Sequence, residues 1–182
     1  MLNSRAIEPE DETKTIIIYG KNATCNRTNS RTLSFLHSPL ITSEAVHIPS
    51  NVTIQESGTI EGTAFLQKLE LKVEARVMLI HNINTSDGLT NGQQGTVKDV
   101  DVRDGRVHRI FIKFDNSNIG QQQRNKFNHL TKVTRNIEWI PIEKSNHQYT
   151  LGDVSKNHGA RASLIQFPLR LSLAMTSHKC QV

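Results

Sequence analysis

The chain has 182 residues, 36% of them hydrophobic and 5% aromatic, with a net charge of +5 at pH 7. That length suits one medium domain or two small ones with a modest core. No apolar run is long enough to cross a membrane as a helix, and the two cysteines, Cys25 and Cys180, exclude a disulfide scaffold and a CxxC metal pair.

The charge is unevenly placed. Residues 1–12 set Glu8, Glu10, Asp11 and Glu12 against Arg5 alone, so the rest of the chain is more basic than the whole. A basic body behind an acidic leader favours a polyanionic partner. Acidic composition, Pro9 and no periodicity predict that residues 1–12 are disordered. No stretch reads as a secretory signal, so the protein is expected to be intracellular, nuclear or mitochondrial where its partner is DNA. The N-x-S/T sequons at Asn22, Asn26, Asn51 and Asn84 carry little weight in that setting.

Residues 15–19 (TIIIY) form a short β-branched run that stops at Gly20, which predicts a buried strand. The spacing in 22–36 predicts a helix from about residue 23 to about residue 35, capped by Asn22. Residues 38–62 are rich in Pro, Ser, Thr and Gly and read as an extended connector with a weak strand near 45–48. In 69–80 (LELKVEARVMLI), alternation gives way to a continuous apolar run. That pattern fits a strand with one wet face leading into a buried strand. Asp87-Gly88, Asn91-Gly92 and Asp104-Gly105 are tight-turn dipeptides, the last joining 95–102 to 107–114 as a hairpin. Ile110, Ile112 and Phe114 share one face of that hairpin. With Trp139, Ile140, Pro141 and Ile142 closing back, these strands predict a small SH3-like β-barrel. Residues 115–136 are rich in Asn and Gln, carry Arg124, Lys126, Lys132 and Arg135, and read as a mobile basic surface loop. A further apolar run follows at 162–176, where Pro168 marks a strand start or turn.

Most catalytic chemistries are missing. A nucleotide-hydrolysing loop needs G-x-x-x-x-G-K-[ST] so that backbone amides cradle phosphate while Lys and hydroxyl reach the γ-phosphate and metal. Gly20-Lys21 is followed by Asn22 and lacks the earlier glycine. Asp11-Glu12 does not end an apolar strand, so it reads as leader rather than as a magnesium-binding pair. The eight histidines show no i,i+4 pairing and no cysteine at ligand spacing. No nucleophile elbow surrounds a serine or cysteine, and Cys25 near a helix start reads as a small apolar residue rather than a thiolate. Catalytic and metal-binding residues are therefore expected to be absent.

Two groups suit a phosphate backbone. Asn22, Asn26 and Asn29 share one helix face beside Arg27 and Arg31, where they serve either as DNA contacts or as capping and solvated surface. Thr176, His178, Lys179 and Gln181 follow the closing apolar run, as DNA contacts or as an ordinary polar strand end.

In this order, the segments resemble the petite-integration-frequency (Pif) family of DNA helicases, in the RecD-like branch of helicase superfamily one. TIIIYGKNATCNRTNSRTL is similar to that family's "xN..V...N...L", at the start of the second RecA-like domain. LQKLELKVEARVMLIHNINTSDGLTNGQQGTVKDV is similar to "L.LK.GA.VML..N....GL.NG..G.V", which opens an SH3-like insertion. IQFPLRLSLAMTSHKCQ is similar to "QFPLRLAWAMTIHKSQG", a helicase motif that touches DNA. The sequence departs from the family at Glu74 and Val182, where glycine is usual, at Ser172 (alanine), Leu173 (tryptophan) and Cys180 (serine or valine). Glu74 is expected to bring strain or a shifted turn.

The resemblance covers residues 15–182 and implies an α+β fold. A partial RecA-like α/β domain (13–68 and 160–182) carries an inserted SH3-like barrel (69–150). It implies that Asn22, Asn26, Thr176, His178 and Lys179 bind single-stranded DNA and that Gln181 relays the nucleotide state. Arg124, Lys126, Lys132 and Arg135 form a secondary basic patch. The phosphate loop and acidic magnesium motif of the first RecA-like domain are absent from the sequence. ATP and magnesium are therefore expected to belong to the complete family protein, with this chain alone inactive as an ATPase and its partners limited to DNA and that first domain. The alternatives are a stand-alone SH3-like module binding nucleic acid or protein through 124–135, and a decayed mobile-element fragment.

Overall fold

The β-branched run closes as β1 (Ile17–Tyr19) and leads after two residues into α1 (Asn22–Phe35). The computed structural model describes residues 17–19, 22–48, 53–151 and 160–176. The acidic leader, His178, Lys179, Gln181, Cys180 and Val182 lie outside the described residues, as does the expectation of disorder at 1–12. Asn22, expected as the cap of α1, is its first residue. Cys25, Asn29 and Leu33 are buried along α1, and their four-residue spacing sets them on one face.

The connector expected at 38–62 is more ordered than its composition suggests. It holds β2 (Ile41–Glu44) and β3 (Val46–Ile48). β2 pairs antiparallel with β4 (Lys68–Leu71), and β3 pairs with β10 (Ala160–Gln166), which also pairs with β9 (Ser145–Leu151). Gln166 ties these elements from inside. Its Oε1 accepts from Ser43 Oγ at 2.9 Å and its Nε2 donates to the Ser43 carbonyl at 2.9 Å.

β4 alternates as expected, with Leu69 and Leu71 buried while Lys68 and Glu70 pair outside at 2.5 Å. β5 (Arg76–Leu79) follows a turn at Glu74, whose φ of 70° is left-handed. The side chain that stands in for glycine thus keeps the backbone that glycine favours. β6 (Gln94–Arg103) and β7 (Arg106–Phe114) form the long hairpin. Both turn residues, Asp104 and Gly105, have positive φ, at 49° and 70°, the pattern of a type I′ turn matched to strand twist. β8 (Trp139–Glu143) and β11 (Leu169–Leu171) flank the sheet in the order β11-β5-β6-β7-β8. β12 (Ala174–Thr176) pairs with β1 in parallel.

The α+β class stands, but the SH3-like barrel is not closed. The five-stranded sheet ends in two edges, β11 and β8. Leu69 and Leu71 of the β2–β4 ribbon join the same core as Val77, Leu79, Ile110, Ile112 and Phe167. That ribbon supplies hydrophobic cover in place of strand closure.

The loop expected at 115–136 is also corrected. It folds into α2 (Gln121–Lys126) and α3 (Thr131–Arg135). Phe111 leaves the sheet on the face opposite Ile110 and Ile112, and Phe127 and Val133 cover it. Asp87, buried in a short 3-10 turn (Thr85–Asp87), caps α2 from a distance. Its carboxylate oxygens accept from the backbone N–H groups of Gln122 and Gln123, each at 2.9 Å.

Candidate nucleic-acid interface

β1 and β12 run side by side, with Ile17 opposite Ala174 and Tyr19 opposite Thr176. α1 begins two residues beyond Tyr19. The first turn of the helix and the ends of both strands therefore converge on one edge, where a parallel sheet presents backbone amides and polar side chains. Asn22 and Asn26 lie in the first two turns of α1, and Thr176 ends β12. The structure thus brings those three positions to one edge, while His178, Lys179 and Gln181 are beyond the described residues.

Asn29 differs from the solvent-facing role its spacing suggested. It is buried, and its side chain grips the backbone of Ala174. The Ala174 N–H donates to Asn29 Oδ1 at 2.8 Å, and Asn29 Nδ2 donates to the Ala174 carbonyl at 3.0 Å. This contact joins the helix to the strand that leads to Thr176. It positions the edge and does not face a ligand.

Two of the four side chains of the secondary basic patch face carboxylates of the protein itself. Lys132 pairs with Asp99 at 2.7 Å and sits over the Phe111 ring. Lys126 lies 3.9 Å from Glu143 and over the Phe127 ring. Arg124 lines a second hollow with Ile119, Ile137 and Glu138. Arg135 is exposed at the end of α3 and has no carboxylate partner among the described residues. Nearby, burial opposes the charge of Asp101, but hydrogen bonds from Arg103 and Arg109 outweigh it and hold the carboxyl below its ordinary value.

No group of three His, Cys, Asp or Glu side chains among the described residues could hold a metal ion. The sequence has no G-x-x-x-x-G-K-[ST] phosphate loop. From sequence, Asp87 is placed in a turn but its capping of α2 is missed, as are Gln166 and Arg170. Gln166 and Arg170 lie inside the QFPLR stretch, where an amide and a guanidinium set in an apolar run were the available signal.

Residues 61–100 match the family model described as DNA helicase Pif1, 2B domain, a span that takes in β4, β5 and most of β6. The ATP-dependent DNA helicase Pif1 of Campylobacter jejuni is 26% identical over 168 residues, which is 91% of this chain and 33% of that protein. The chain is thus similar to Pif1 helicases over most of its length, with the family model confined to 61–100. Solved Pif1 structures share its fold. Bacteroides Pif1 in complex with ADP-AlF3 and single-stranded DNA superposes with a TM-score of 0.64 at 23% identity, covering 97% of this chain and 34% of that one. Pif1 from Candida albicans gives 0.60 at 23% identity, over 95% and 37%. The chain spans about a third of the length of the Pif1 helicases it matches. The family model falls on the β4–β6 region, where the sequence carries its turn glycines and the left-handed Glu74.

Proposed function

We propose that this chain supplies the DNA-tracking edge of an ATP-dependent DNA helicase. The observation that carries the reading is the convergence of β1, β12 and the first turn of α1, held in place by Asn29, in a chain similar to Pif1 helicases. On this reading, Thr176, His178 and Lys179 contact the phosphates of single-stranded DNA, with Asn22 and Asn26 lining the same strand. Gln181 couples that contact to the nucleotide state of a first RecA-like domain. Residues 13–68 and 160–182 act as the partial motor domain, and the open sheet acts as its insertion. A nuclear or mitochondrial location follows from a DNA partner.

No ATP-dependent step is assigned to these residues, since the phosphate cradle is not among them. The purified chain is expected not to hydrolyse ATP above a Lys179→Ala control, even with single-stranded DNA present. Turnover above that control would overturn this part of the reading.

Binding is tested by fluorescence anisotropy with a labelled oligo-dT across a salt series. Lys179→Ala is expected to weaken binding and to reduce the slope of log K against log salt by about 0.7, the share of one phosphate contact on a single strand. Lys126→Ala and Lys132→Ala are expected to leave both unchanged, because those cations already face carboxylates. An unchanged slope for Lys179→Ala with a reduced slope for Lys132→Ala would move the interface to the insertion.

A further inference from the structure

A hollow of about 280 Å³ lies between the end of β7, the start of α2 and the residues that lead into β8. Phe114, Ile119 and Ile140, all members of the main core, form its apolar wall. Ile137 also lines it, yet is 70% exposed, more than any other large hydrophobic side chain among the described residues. The frame is rigid. A Cβ on Gly120 would meet Ile140 Cδ1 at 2.6 Å, so α2 starts in direct contact with β8. Asp87 caps α2, and Gln123 Nε2 donates to the Pro141 carbonyl at 3.0 Å. A site held this way loses little freedom when it is filled.

Arg124 is the one cation on this lining. Its Nε is buried without a hydrogen-bond partner, and among the described residues no carboxylate pairs with its guanidinium. Glu138, on the same lining, is taken by Lys113 at 2.6 Å. A desolvated N–H without an acceptor is costly, and a guanidinium meets a carboxylate through two parallel N–H bonds. The occupant is therefore expected to be anionic beside an aliphatic body. Its size follows from the volume. Small-molecule sites hold about 300–1,000 Å³ and enclose most of the ligand. A smaller hollow that runs out onto an exposed isoleucine suits one anchor residue of a polypeptide, whose flanking chain covers Ile137. A nucleic-acid strand fits less well, because it needs successive cations and open aromatic faces. Here there is one cation, Phe114 is buried, and Glu138 opposes phosphate.

We propose that this hollow docks an acidic, aliphatic segment of a partner polypeptide. An aliphatic side chain of the partner packs on Phe114, Ile119 and Ile140, and an adjacent carboxylate lies on Arg124. The site draws on none of the residues of the β1–β12 edge, so it does not depend on the DNA-tracking reading.

The test uses the full chain, labelled with nitrogen-15 and with carbon-13 at the isoleucine δ-methyls. It is titrated at fixed ionic strength with the peptide acetyl-Leu-Glu-Leu-Glu-amide and with its neutral counterpart acetyl-Leu-Gln-Leu-Gln-amide. NMR follows the Arg124 Nε–H signal and the methyls of Ile137 and Ile140. The acidic peptide is expected to shift all three and to bind at least about tenfold more tightly than the neutral one, the worth of a charge-assisted hydrogen bond. Arg124→Gln should abolish that preference, and Arg124→Lys should restore part of it. Ile137→Ser alters an exposed position, leaves Arg124 in place, and should weaken both peptides by a similar factor. Equal affinity for the two peptides, no shift at millimolar peptide, or a preference that survives Arg124→Gln would overturn the proposal. So would displacement of the acidic peptide by oligo-dT, which would make the hollow a nucleic-acid site.

Discussion

Asn29 and Ala174 exchange two hydrogen bonds although almost the whole chain separates them, the side-chain amide of one satisfying both backbone groups of the other. A carboxamide does both at once, because it carries an acceptor and a donor on one planar group. Leucine fills a similar volume and offers neither.

Asn29→Leu is therefore expected to destabilise the chain by about 2–4 kcal/mol, the result of leaving a buried N–H and C=O without partners. Asn29→Asp keeps the shape and the acceptor for the Ala174 N–H but sets a buried carboxylate oxygen against the Ala174 carbonyl, so it should also destabilise. Urea unfolding followed by circular dichroism measures both, and an Asn29→Asp variant as stable as the parent would show that packing, not the amide, matters at this position.

Glu74 invites the opposite change. Its φ of 70° is left-handed, and its carboxylate meets Lys98 Nζ at 2.8 Å on an exposed surface. Relieving the backbone is worth on the order of 1 kcal/mol, whereas an exposed pair contributes between about 0 and 1 kcal/mol. Glu74→Gly should raise stability slightly, and more clearly in a Lys98→Ala background where the ion pair is already gone. A loss of stability in that background would show that the turn does not need glycine.

His147 makes stability depend on pH. It packs on Phe65 at 5.2 Å and edge-on to His81 at 4.7 Å between ring centroids. Burial first, and His81 second, hold its pKa below the ordinary 6.5. Between that folded value and 6.5 the unfolded chain binds more protons, so stability is lost as pH falls below 6.5 and is fully present above it. Thermal melts from about pH 7.5 to about pH 5.5 should show a falling Tm. His147→Phe should flatten that slope, and an unchanged slope would assign the dependence elsewhere.

Gly95 has no room for a side chain. It lies opposite Val77 on β5 and Phe114 on β7. An added Cβ would meet the Lys113 carbonyl oxygen at 2.6 Å and Phe114 Cα at 2.9 Å. Both are backbone, so the sheet itself must spread. Gly95→Ala is expected to destabilise by about 1–3 kcal/mol. Gly105→Ala offers a contrast, because its Cβ meets nothing within 4 Å and only its φ of 70° resists.

Features fixed by local chemistry were legible in the sequence. Asp104-Gly105 placed the hairpin turn, and the apolar alternation placed β4, β5 and β7 within a residue or two. What escaped depends on partners distant in sequence. Ile41 sits in polar surroundings and becomes a strand only because Leu71 pairs with it, whereas the weak strand expected near 45–48 is β3. The Gln-rich α2 shows no apolar period, and its start is capped by Asp87 from another turn. Asn29 was visible as one of three spaced asparagines, but its inward role rests on a strand at the far end of the chain.

Residues 160–176 place β10, β11 and β12 in three different sheets, joined only by Phe167-Pro168 and Ser172-Leu173. Such short links leave the three sheets no independent play. They also mean that these sheets wait on one late segment, since β1 and β3 can pair with it only after most of the chain has been threaded. Closing so long a loop is entropically slow, so folding should be limited by the arrival of this strip, with the β6–β7 hairpin formed well before it.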